Sequence, residues 1–309
     1  MNMNIEIQEK VPLAPLTTFD IGGNARFFTE VSGAQGVQEA IEKAREWEVP
    51  YVVIAGGSNL LVSDEGFDGL IIRITGGSFK IARRHVFVDA GYNLEEIIRA
   101  TAVEGLAGWE HLAGIPGSVG GAVRGNAGVF GTEIRDVLVA ARALNTKTGL
   151  VRDFSPSACG FSYRTSFFKR NPEWIVTNVV LELRPGDAQD VLLEIEDTVR
   201  ERNKKHIQNI KAAGSFFMNP VAPTSVCRLF ENEKGVESRG RRVPAGWLIE
   251  KAGMKGERVG GAMASEMHPN YILNVEGATA RDVLTLAEKV KKAVLDTSGV
   301  MLEEEVKVL

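Results

Sequence analysis

The feature that most constrains the fold of this chain is a cluster of glycines near its centre. Nine glycines fall within residues 105–131, about three times the density of the whole chain, which has 33 glycines in 309 residues. Glycine permits positive φ and lets a backbone approach a ligand closely. The segment also contains Trp, Ile, Val and Phe, whereas flexible linkers combine glycine with Ser and Gln. We therefore expect a packed loop that cradles a ligand.

Composition excludes several classes of protein. The chain is 44 % hydrophobic and 25 % charged, with a formal net charge of −4, so no basic excess indicates a nucleic-acid or membrane-surface partner. No apolar run is long enough to span a bilayer, and the first residues lack a signal-peptide pattern. Cys159 and Cys227 lie far apart without CxxC spacing, which is typical of reduced cytosolic thiols. We expect a soluble, cytoplasmic protein with no nucleic-acid, membrane or obligate protein partner.

The elements predicted before the glycine cluster exclude two common nucleotide-binding folds. Apolar residues at helical spacing predict a helix that ends before Pro50, and the strand YVVIA then leads into GGSN at 56–59. A Rossmann or P-loop site needs a helix that begins directly after such a turn. Here the following residues, LLVSDEGFDGLIIRI, predict a strand, a turn and a strand, and no GxxxxGK[ST] motif occurs. A classical NAD or ATP fold is therefore disfavoured.

Three further helices are predicted from local signals. Asn93 is a candidate N-cap of a helix that Gly105 ends, and a helix carrying Val191, Ile195 and Val199 follows much later. The last helix begins at Thr279, with Asp282 completing a capping box, and ends at Gly299. The charged stretch 200–211 is the best candidate for a domain boundary, because one core rarely exceeds about 250 to 300 residues.

Eight short motifs, in order along nearly the whole chain, resemble those of one enzyme family. They are LTTFDIGGNA (16–25), IAGGSNLLVSD (54–64), GIPGSVGGAVRGNAG (114–128), FSYRTS (161–166), GSFFMNP (214–220), AGWLIEKAGMKG (245–256), HPNYILN (268–274) and LEEEV (302–306). Together they are similar to the UDP-N-acetylenolpyruvoylglucosamine reductases (UDP-N-acetylmuramate dehydrogenases), flavoenzymes of peptidoglycan precursor synthesis. The length of the chain resembles the shorter form of this family.

The resemblance implies an α+β fold: the FAD-binding two-subdomain fold of the vanillyl-alcohol-oxidase-like (PCMH-type) superfamily, plus an α+β substrate-binding domain. The implied ranges are 1–75 for the first FAD-binding subdomain, 76–205 for the second and 206–299 for the substrate domain. The C-terminal tail, 300–309, is expected to return toward the active site.

The resemblance also implies FAD, bound non-covalently, with NADPH as co-substrate. Successive backbone N–H groups in a glycine-rich nest suit a pyrophosphate without a helix terminus, and the alternative for GGSN is a simple tight turn. The implied FAD-binding positions are Ala55, Gly56, Gly57, Ser58, Asn59, Leu60, Gly114, Ile115, Pro116, Gly117, Ser118, Gly120, Gly121, Ala122 and Gly128.

The implied reaction is hydride transfer to the enolpyruvyl ether of UDP-N-acetylglucosamine, followed by protonation. Arg164 matches the family's active-site arginine, since a guanidinium fork suits the enolate that develops from a carboxylate. Taken alone, this arginine would be a structural ion pair. Ser215 matches the family's proton donor, and its alternative is a helix N-cap after Gly214. Glu305 matches the catalytic glutamate that works with Arg164, and its alternative is a solvated acidic tail.

Five further positions align with substrate contacts of the family: Tyr163, Asn219, Lys255, His268 and Lys205. Lys205, or its neighbour Lys204, would meet the diphosphate. His268 alone would be a loop histidine, and the other histidines have no ligand-spaced partners, so no metal is expected. The chain departs from the family in having Met218 where lysine is common and Glu304 where proline is usual.

Two other functions stay open at this point. One is another reductase or oxidase of the same FAD-binding fold, and the other is a flavin-binding relative without turnover. The joint presence of Arg164, Ser215 and Glu305 favours the enolpyruvyl reductase. NADPH oxidation measured with and without the enolpyruvyl sugar nucleotide separates the three.

Overall fold

The structure, a computed structural model, describes residues 5–129, 131–205 and 210–309, without the side chains of residues 204 and 205. Within them the strands are β1 Gln8–Pro12, β2 Asn24–Val31, β3 Tyr51–Ile54, β4 Leu60–Leu61, β5 Phe67–Ile74, β6 Phe79–Ala82, β7 His85–Asp89, β8 Leu106–Ala107, β9 Gly128–Val129, β10 Thr132–Glu133, β11 Leu138–Asn145, β12 Val151–Phe154, β13 Trp174–Glu182, β14 Arg184–Pro185, β15 Arg258–Val259, β16 Ala262–Ala264, β17 Ile272–Asn274 and β18 Lys307–Val308. The α-helices are α1 Gly33–Glu46, α2 Leu94–Val103, α3 Val119–Gly125, α4 Phe167–Arg170, α5 Ala188–Lys205, α6 Thr224–Lys234, α7 Ala245–Lys251 and α8 Ala280–Ser298.

Contacts between Cα atoms divide the chain into two compact units. The first comprises 1–11, 25–57 and 67–204, and the second comprises 12–24, 58–66 and 205–309. The boundary near residue 204 falls within the charged stretch predicted to separate domains. These two units do not test the three predicted domain ranges, 1–75, 76–205 and 206–299, which stay a prediction. None of the described helices is long and apolar enough to cross a bilayer.

A small sheet opens the first unit, in the order β1-β2-β5-β3, with β5 parallel to both β2 and β3. Parallel strands need a crossover connection, and α1 supplies it between β2 and β3, which flank β5 on either side. The apolar face of α1 (Val37, Ala40, Ile41 and Ala44) is fully buried in the core beneath it. The predicted helix before Pro50 and the strand after it are therefore confirmed. They could be predicted because the apolar residues of α1 recur at helical spacing on one face.

An antiparallel sheet forms the larger part of the first unit, in the order β12-β11-β13-β7-β6. Helix α2 packs its apolar residues into the same core, and Asn93 caps it by accepting a hydrogen bond from the Glu96 backbone N–H at 3.1 Å. Gly105, at φ 67°, follows the helix as predicted. Several residues of the glycine-rich segment, among them Leu112, Val119 and Val123, belong to this core.

The centre of the glycine-rich segment is helical, which the sequence did not indicate. We predicted a loop there, yet residues 119–125 form α3. Glycine normally disfavours helix interiors. Here Ser118 caps the helix by accepting from the Gly121 N–H at 3.2 Å, and Val119 and Val123 are fully buried. Capping and burial together outweigh the propensity of the glycines.

The second unit is built around α8 and the three-stranded sheet β15-β16-β17. The Thr279–Asp282 capping box is present, and Gly299 ends the helix at φ 68°, both as predicted. Each large apolar side chain buried from α8 contributes about 1.5 to 3 kcal/mol; these are Val283, Leu286, Val290 and Val294. Cys159 in the first unit and Cys227 in the second are both buried free thiols.

Candidate active site

The two predicted FAD motifs meet at their glycines. A Cβ placed on Gly56 would lie 3.2 Å from the Gly117 Cα, tighter than most such contacts, so backbone packs on backbone there. Gly117 has φ 126°, a conformation that side chains disfavour. A larger residue at either position would push the two loops apart. The motifs therefore form one cradle in the first unit, where GGSN is more than an isolated turn.

The second motif is anchored through α3. The Gly120 N–H donates to the Ala90 carbonyl at 2.8 Å, and a Cβ on Gly120 would lie only 2.7 Å from the Ala90 Cβ. The N–H groups of Gly121 and Ala122 bond to Ser118. These three donors are engaged inside the protein, so the predicted nest of successive N–H groups does not extend over them. Of the remaining FAD-motif positions, Ala55 and Gly57 belong to the first unit, and Ser58, Asn59 and Leu60 to the second.

Asn126, which follows α3, contributes a buried acceptor to this region. Its Nδ2 donates to the Glu133 Oε2 at 2.9 Å and to the Ser162 carbonyl at 3.1 Å. Since both partners are acceptors, the amide orientation is fixed. Its Oδ1 is buried and has no hydrogen-bond partner among the described residues. A buried acceptor normally needs a donor, and FAD offers hydroxyl and N–H donors. The glycine cradle and this acceptor fit the cofactor.

Arg164 lies at the tip of a tight hairpin in the first unit. Ser162 and Thr165 exchange two backbone hydrogen bonds of 3.1 Å, which leaves Tyr163 and Arg164 as the turn. Arg164 has φ 53°, and the left-handed region costs a non-glycine residue about 1 to 2 kcal/mol. Its guanidinium carbon lies 5.4 Å from the centre of the Tyr163 ring. The turn therefore holds the predicted arginine in a strained, defined conformation.

Side chains around the hairpin hold this strained turn. The Lys169 Nζ donates to the Arg164 carbonyl at 2.9 Å. The Ser166 Oγ donates to the Arg124 carbonyl at 2.7 Å, and Asn126 holds the Ser162 carbonyl from the other direction. The FSYRTS motif is thereby tied to the GNAG end of the glycine-rich segment. Lys169 and Asn126 were missed as site residues, because their role depends on this tertiary pairing.

Ser215 is not a helix cap. The residues after it, 216–223, are not helical, and α6 begins only at Thr224 with Pro223 as its N-cap. Ser215 is half-buried and is followed by Phe216 and Phe217, which are both 1 % exposed. The capping alternative for Ser215 is therefore wrong. The serine instead precedes an extended segment, 216–218, which is locked by backbone hydrogen bonds.

The C-terminal tail pairs with this extended segment in the second unit. The Glu305 N–H donates to the Phe216 carbonyl at 2.8 Å, and the Met218 N–H donates to the Glu303 carbonyl at 2.9 Å. The tail continues as β18, parallel to β4, and the Asn59 Nδ2 donates to the Glu305 carbonyl at 3.0 Å. The tail thus brings Glu305 beside both the GSFFMNP and GGSN motifs.

The three glutamates of LEEEV have different surroundings. Glu303 is exposed, whereas Glu304 lies 3.2 Å from the Lys291 Nζ of α8. The carboxylates of Glu288 and Glu304 raise the pKa of Lys291. Glu304, which stands where the family usually has proline, is therefore used in an ion pair on the protein surface. Glu305 is half-buried, so the acidic run is not simply a solvated tail.

The predicted substrate residues of the second unit have fixed positions. The Asn219 Oδ1 accepts from the Ala245 N–H at 3.0 Å, at the start of α7. His268 packs edge-on against Tyr271, with ring centres 4.7 Å apart, and burial lowers its pKa, so the imidazole is neutral at pH 7. Lys255 is exposed, 3.9 Å from the Glu250 carboxylate. The Lys205 side chain lies outside the described residues.

The predicted site residues fall in both units. Tyr163 and Arg164 belong to the first unit, and the second unit contains Ser215, Asn219, Lys255, His268 and Glu305. Across the described ranges, no group of three or more His, Cys, Asp or Glu side chains could hold a metal ion. The first unit therefore holds a glycine cradle, a buried acceptor and a strained arginine, and the second unit holds the predicted serine and glutamate. The fold, the cradle and its buried acceptor indicate a flavin-binding oxidoreductase.

Comparisons with known proteins specify the class further. Residues 25–155 match the family model for an FAD binding domain, and residues 205–309 match the model for the C-terminal domain of UDP-N-acetylenolpyruvoylglucosamine reductase. The enzyme of that name from Solibacter usitatus is 37 % identical over 98 % of this chain and 96 % of its own length. Its counterpart from Bacillus subtilis is 34 % identical over 96 % of this chain and 92 % of its own length.

A solved structure of the same family is also similar to this chain. The crystal structure of UDP-N-acetylenolpyruvylglucosamine reductase from Thermus caldophilus superimposes with a TM-score of 0.77 and 33 % identity, covering 99 % of each chain. The chain belongs to the UDP-N-acetylenolpyruvoylglucosamine reductase family. The family, the FAD-binding fold class and the FAD cofactor predicted from the sequence are thereby confirmed.

Proposed function

We propose that this chain uses NADPH, through FAD, to reduce the enolpyruvyl ether of UDP-N-acetylglucosamine to UDP-N-acetylmuramate. When bound, FAD accepts a hydride from NADPH and delivers it to the vinyl CH2 of the substrate. The residues that would hold it are the Gly56–Gly117 cradle and Asn126, whose Oδ1 is suited to a donor of the cofactor. The protein must then stabilise the charge that develops on the substrate and supply one proton.

Arg164 would stabilise that charge. Hydride addition leaves a pair of electrons at the carbon next to the carboxylate, delocalised into it as an enolate. A guanidinium stays charged at any working pH and donates two parallel hydrogen bonds to such a group. Its interaction strengthens as the enolate forms, so it lowers the barrier rather than merely binding the substrate. The strained hairpin supports this role, because strain of this kind is maintained where geometry matters.

Ser215 would give its hydroxyl proton to the enolate carbon, and Glu305 would polarise the enol carboxylate with Arg164. A serine is a weak acid in water, but an enolate carbon is a strong base, and a closed site limits competing water. Asn219, Lys255, His268 and Tyr163 would bind the rest of the sugar nucleotide, and Lys205 its diphosphate. These residue roles rest on the family motifs.

One observation carries the proposal furthest. Ser215 and Glu305 are 90 positions apart in the sequence, yet both are adjacent to Phe216: Ser215 precedes it, and the Glu305 N–H bonds to its carbonyl. The proposed proton donor and the proposed glutamate thus share one backbone anchor. This shared anchor supports a joint role of the two residues in the reaction.

The test measures the two half-reactions separately. Purified protein should be yellow, and acid precipitation should release FAD into the supernatant. NADPH should bleach the flavin absorbance in a stopped-flow instrument, and the enolpyruvyl sugar nucleotide should then restore it. UDP-N-acetylglucosamine, which lacks the enolpyruvyl group, is the control and should restore nothing. Protein that binds FAD and is reduced by NADPH, but is not reoxidised by the enolpyruvyl compound, would be a different flavoprotein.

A further inference from the structure

Asn270, in the motif HPNYILN, makes an unusual set of hydrogen bonds in the second unit. It is 3 % exposed. Its Oδ1 accepts from the Phe217 N–H at 3.0 Å, and its Nδ2 donates to the Phe217 carbonyl at 2.8 Å. Its own carbonyl accepts from the Phe216 N–H at 2.7 Å. One residue therefore satisfies three of the four backbone polar groups of Phe216 and Phe217.

The tail occupies the remaining groups of the same segment. The Phe216 carbonyl accepts from the Glu305 N–H at 2.8 Å, and the Met218 N–H donates to the Glu303 carbonyl at 2.9 Å. The amide of Asn270 thus replaces the neighbouring strand that would otherwise pair with Phe217. The segment lies between Asn270 and the tail, with Ser215 immediately before it.

Only asparagine provides this pairing. It needs one acceptor and one donor at the end of a short side chain, facing a backbone N–H and a backbone C=O. Aspartate presents a second acceptor to the Phe217 carbonyl, and leucine leaves both buried groups without a partner. Glutamine adds a methylene that a packed interior has no room for.

We propose that Asn270 is a positioning residue that sets the backbone register of Ser215 and Glu305 at once. The hydrogen bonds described above join it to the backbone of Phe216 and Phe217. It holds Phe216 and Phe217, to which Ser215 is joined covalently and Glu305 by a hydrogen bond. The catalytic consequence rests on the proposed function, whereas the register itself does not.

The first experiment compares Asn270→Asp with Asn274→Asp by backbone amide hydrogen exchange. Asn274 is a matched control, because its Nδ2 also donates to backbone carbonyls, those of Phe19 and Asp20, and its Oδ1 accepts from the Ala278 N–H. At pH 8 the Asn270 variant should exchange at least about 10-fold faster than the wild type at both 216–218 and 303–306, since one lost bond changes local opening by this order. The control should leave both segments protected.

The pH dependence of the Asn270 variant sharpens this test. Burial and the facing carbonyl raise the pKa of an aspartate at this position, and its protonated form can donate as the amide does. The excess exchange over the wild type, compared at each pH, should therefore shrink as the pH falls from 8 to 5.5. A structural defect that has nothing to do with the missing donor would not be reversed by acid.

The second experiment follows the half-reactions. Asn270→Asp should be reduced by NADPH at the wild-type rate, but its reoxidation by the enolpyruvyl substrate should fall about 10²-fold at pH 8, the scale of a small misplacement. Equal loss in both half-reactions, or faster exchange in only one of the two segments, would overturn the inference. If the wild type itself is not reoxidised, the proposed function fails, and the exchange data still decide whether Asn270 sets the register.

Discussion

The two proposed catalytic regions differ in which hydrogen bonds hold them in place. The Arg164 hairpin depends on side chains: Lys169 bonds to the Arg164 carbonyl, Asn126 to the Ser162 carbonyl, and the arginine itself has a strained φ of 53°. The Ser215 segment is held by backbone hydrogen bonds to the tail on one edge, and by one buried residue, Asn270, on the other. The hairpin leads into α4, which Ser166 caps, whereas the Ser215 segment adjoins no helix end within the described residues.

This difference predicts which substitutions should displace each region. A hydrogen bond from a charged side chain contributes about 1.5 to 3 kcal/mol, similar to the cost of the left-handed arginine. Removing one such side chain can therefore release the hairpin without unfolding its unit. The Ser215 segment has several backbone bonds, so a surface change should leave it in place. Substitutions of Arg164, Ser215 or Glu305 test the proposed function. A substitution of Lys169, which holds the hairpin, tests whether that region depends on its side chains.

The largest effect is expected at Ser215. Ser215→Ala removes the proposed proton donor, and general acid catalysis contributes about 10² to 10⁴-fold, so reoxidation by the enolpyruvyl substrate should slow by this order. Flavin reduction by NADPH should survive. Ser215→Cys should retain more reoxidation than the alanine variant, because a thiol is the stronger acid, with an ordinary pKa of about 8.5. Stopped-flow traces of both half-reactions measure this.

Reoxidation of Ser215→Ala at the wild-type rate would mean that the proton comes from elsewhere. The thermal midpoint of the variant should stay close to that of the wild type, because Ser215 caps no helix.

Loss of Arg164 or Glu305 should be the next largest effect. Arg164→Met and Glu305→Gln should slow reoxidation by at least about 10²-fold, the scale of one lost transition-state donor, and spare flavin reduction. The chain offers matched controls for both. Arg170 donates to the Gly160 carbonyl near the same hairpin, and Glu304 pairs with Lys291 beside Glu305.

The controls should behave differently from the site variants. Arg170→Met and Glu304→Gln should keep both half-reactions near the wild-type rate. Arg170 is exposed and donates to one carbonyl, and a surface ion pair such as the partly exposed Glu304–Lys291 pair contributes about 1 kcal/mol or less to stability. A Glu304→Gln variant as slow as Glu305→Gln would show that the wrong glutamate of LEEEV was assigned.

The supports of the hairpin should give a smaller effect. Lys169→Met removes the donor to the Arg164 carbonyl, and we expect reoxidation to fall about 10-fold, since misplacement costs less than loss of the reacting group. Flavin content should be unchanged. An exposed lysine of the second unit, Lys292, pairs with Asp296 and serves as the control, as Lys292→Met. Full activity of Lys169→Met would break the comparison, because the hairpin would then not depend on its side chains.

Local signals in the sequence predicted much of the fold. The caps at Asn93 and Thr279 and the stops at Gly105 and Gly299 follow from short-range chemistry, and the structure has all four. Helix α3 was missed, because burial of Val119 and Val123 outweighs the poor propensity of its glycines. The family motifs predict the FAD loops, and the structure shows that the two motifs meet at Gly56 and Gly117.

The supports of the site were beyond sequence reasoning. Asn126, Lys169 and Asn270 act through hydrogen bonds to residues 36, 5 and 53 positions away, and nothing in their local sequence marks the partner. The pairing of Glu304 with Lys291 likewise needs the tail and α8 to be placed first. A buried asparagine within an apolar run such as HPNYILN was the one available signal, because such a group must find partners. The roles of Arg164, Ser215 and Glu305 stay predictions.

The smallest effect concerns pH and the second region only. Burial lowers the pKa of His268, two residues before Asn270, below that of the unfolded chain. Between the two values the unfolded state binds more protons, so stability rises with pH and is lost as the pH falls below the ordinary histidine value of about 6.5. His268→Gln removes this contribution. The urea midpoint of the wild type should therefore fall more between pH 7.5 and 5.5 than that of the variant, and NMR titration of the imidazole, assigned by its absence in the variant, should give a pKa below 6.5. The opening of the amides at 216–218, measured as the observed hydrogen-exchange rate divided by the intrinsic rate at each pH, should increase in acid in the wild type more than in the variant. The Arg164 hairpin should respond alike in both. An equal pH response of the two midpoints would show that His268 does not link protonation to the stability of this region.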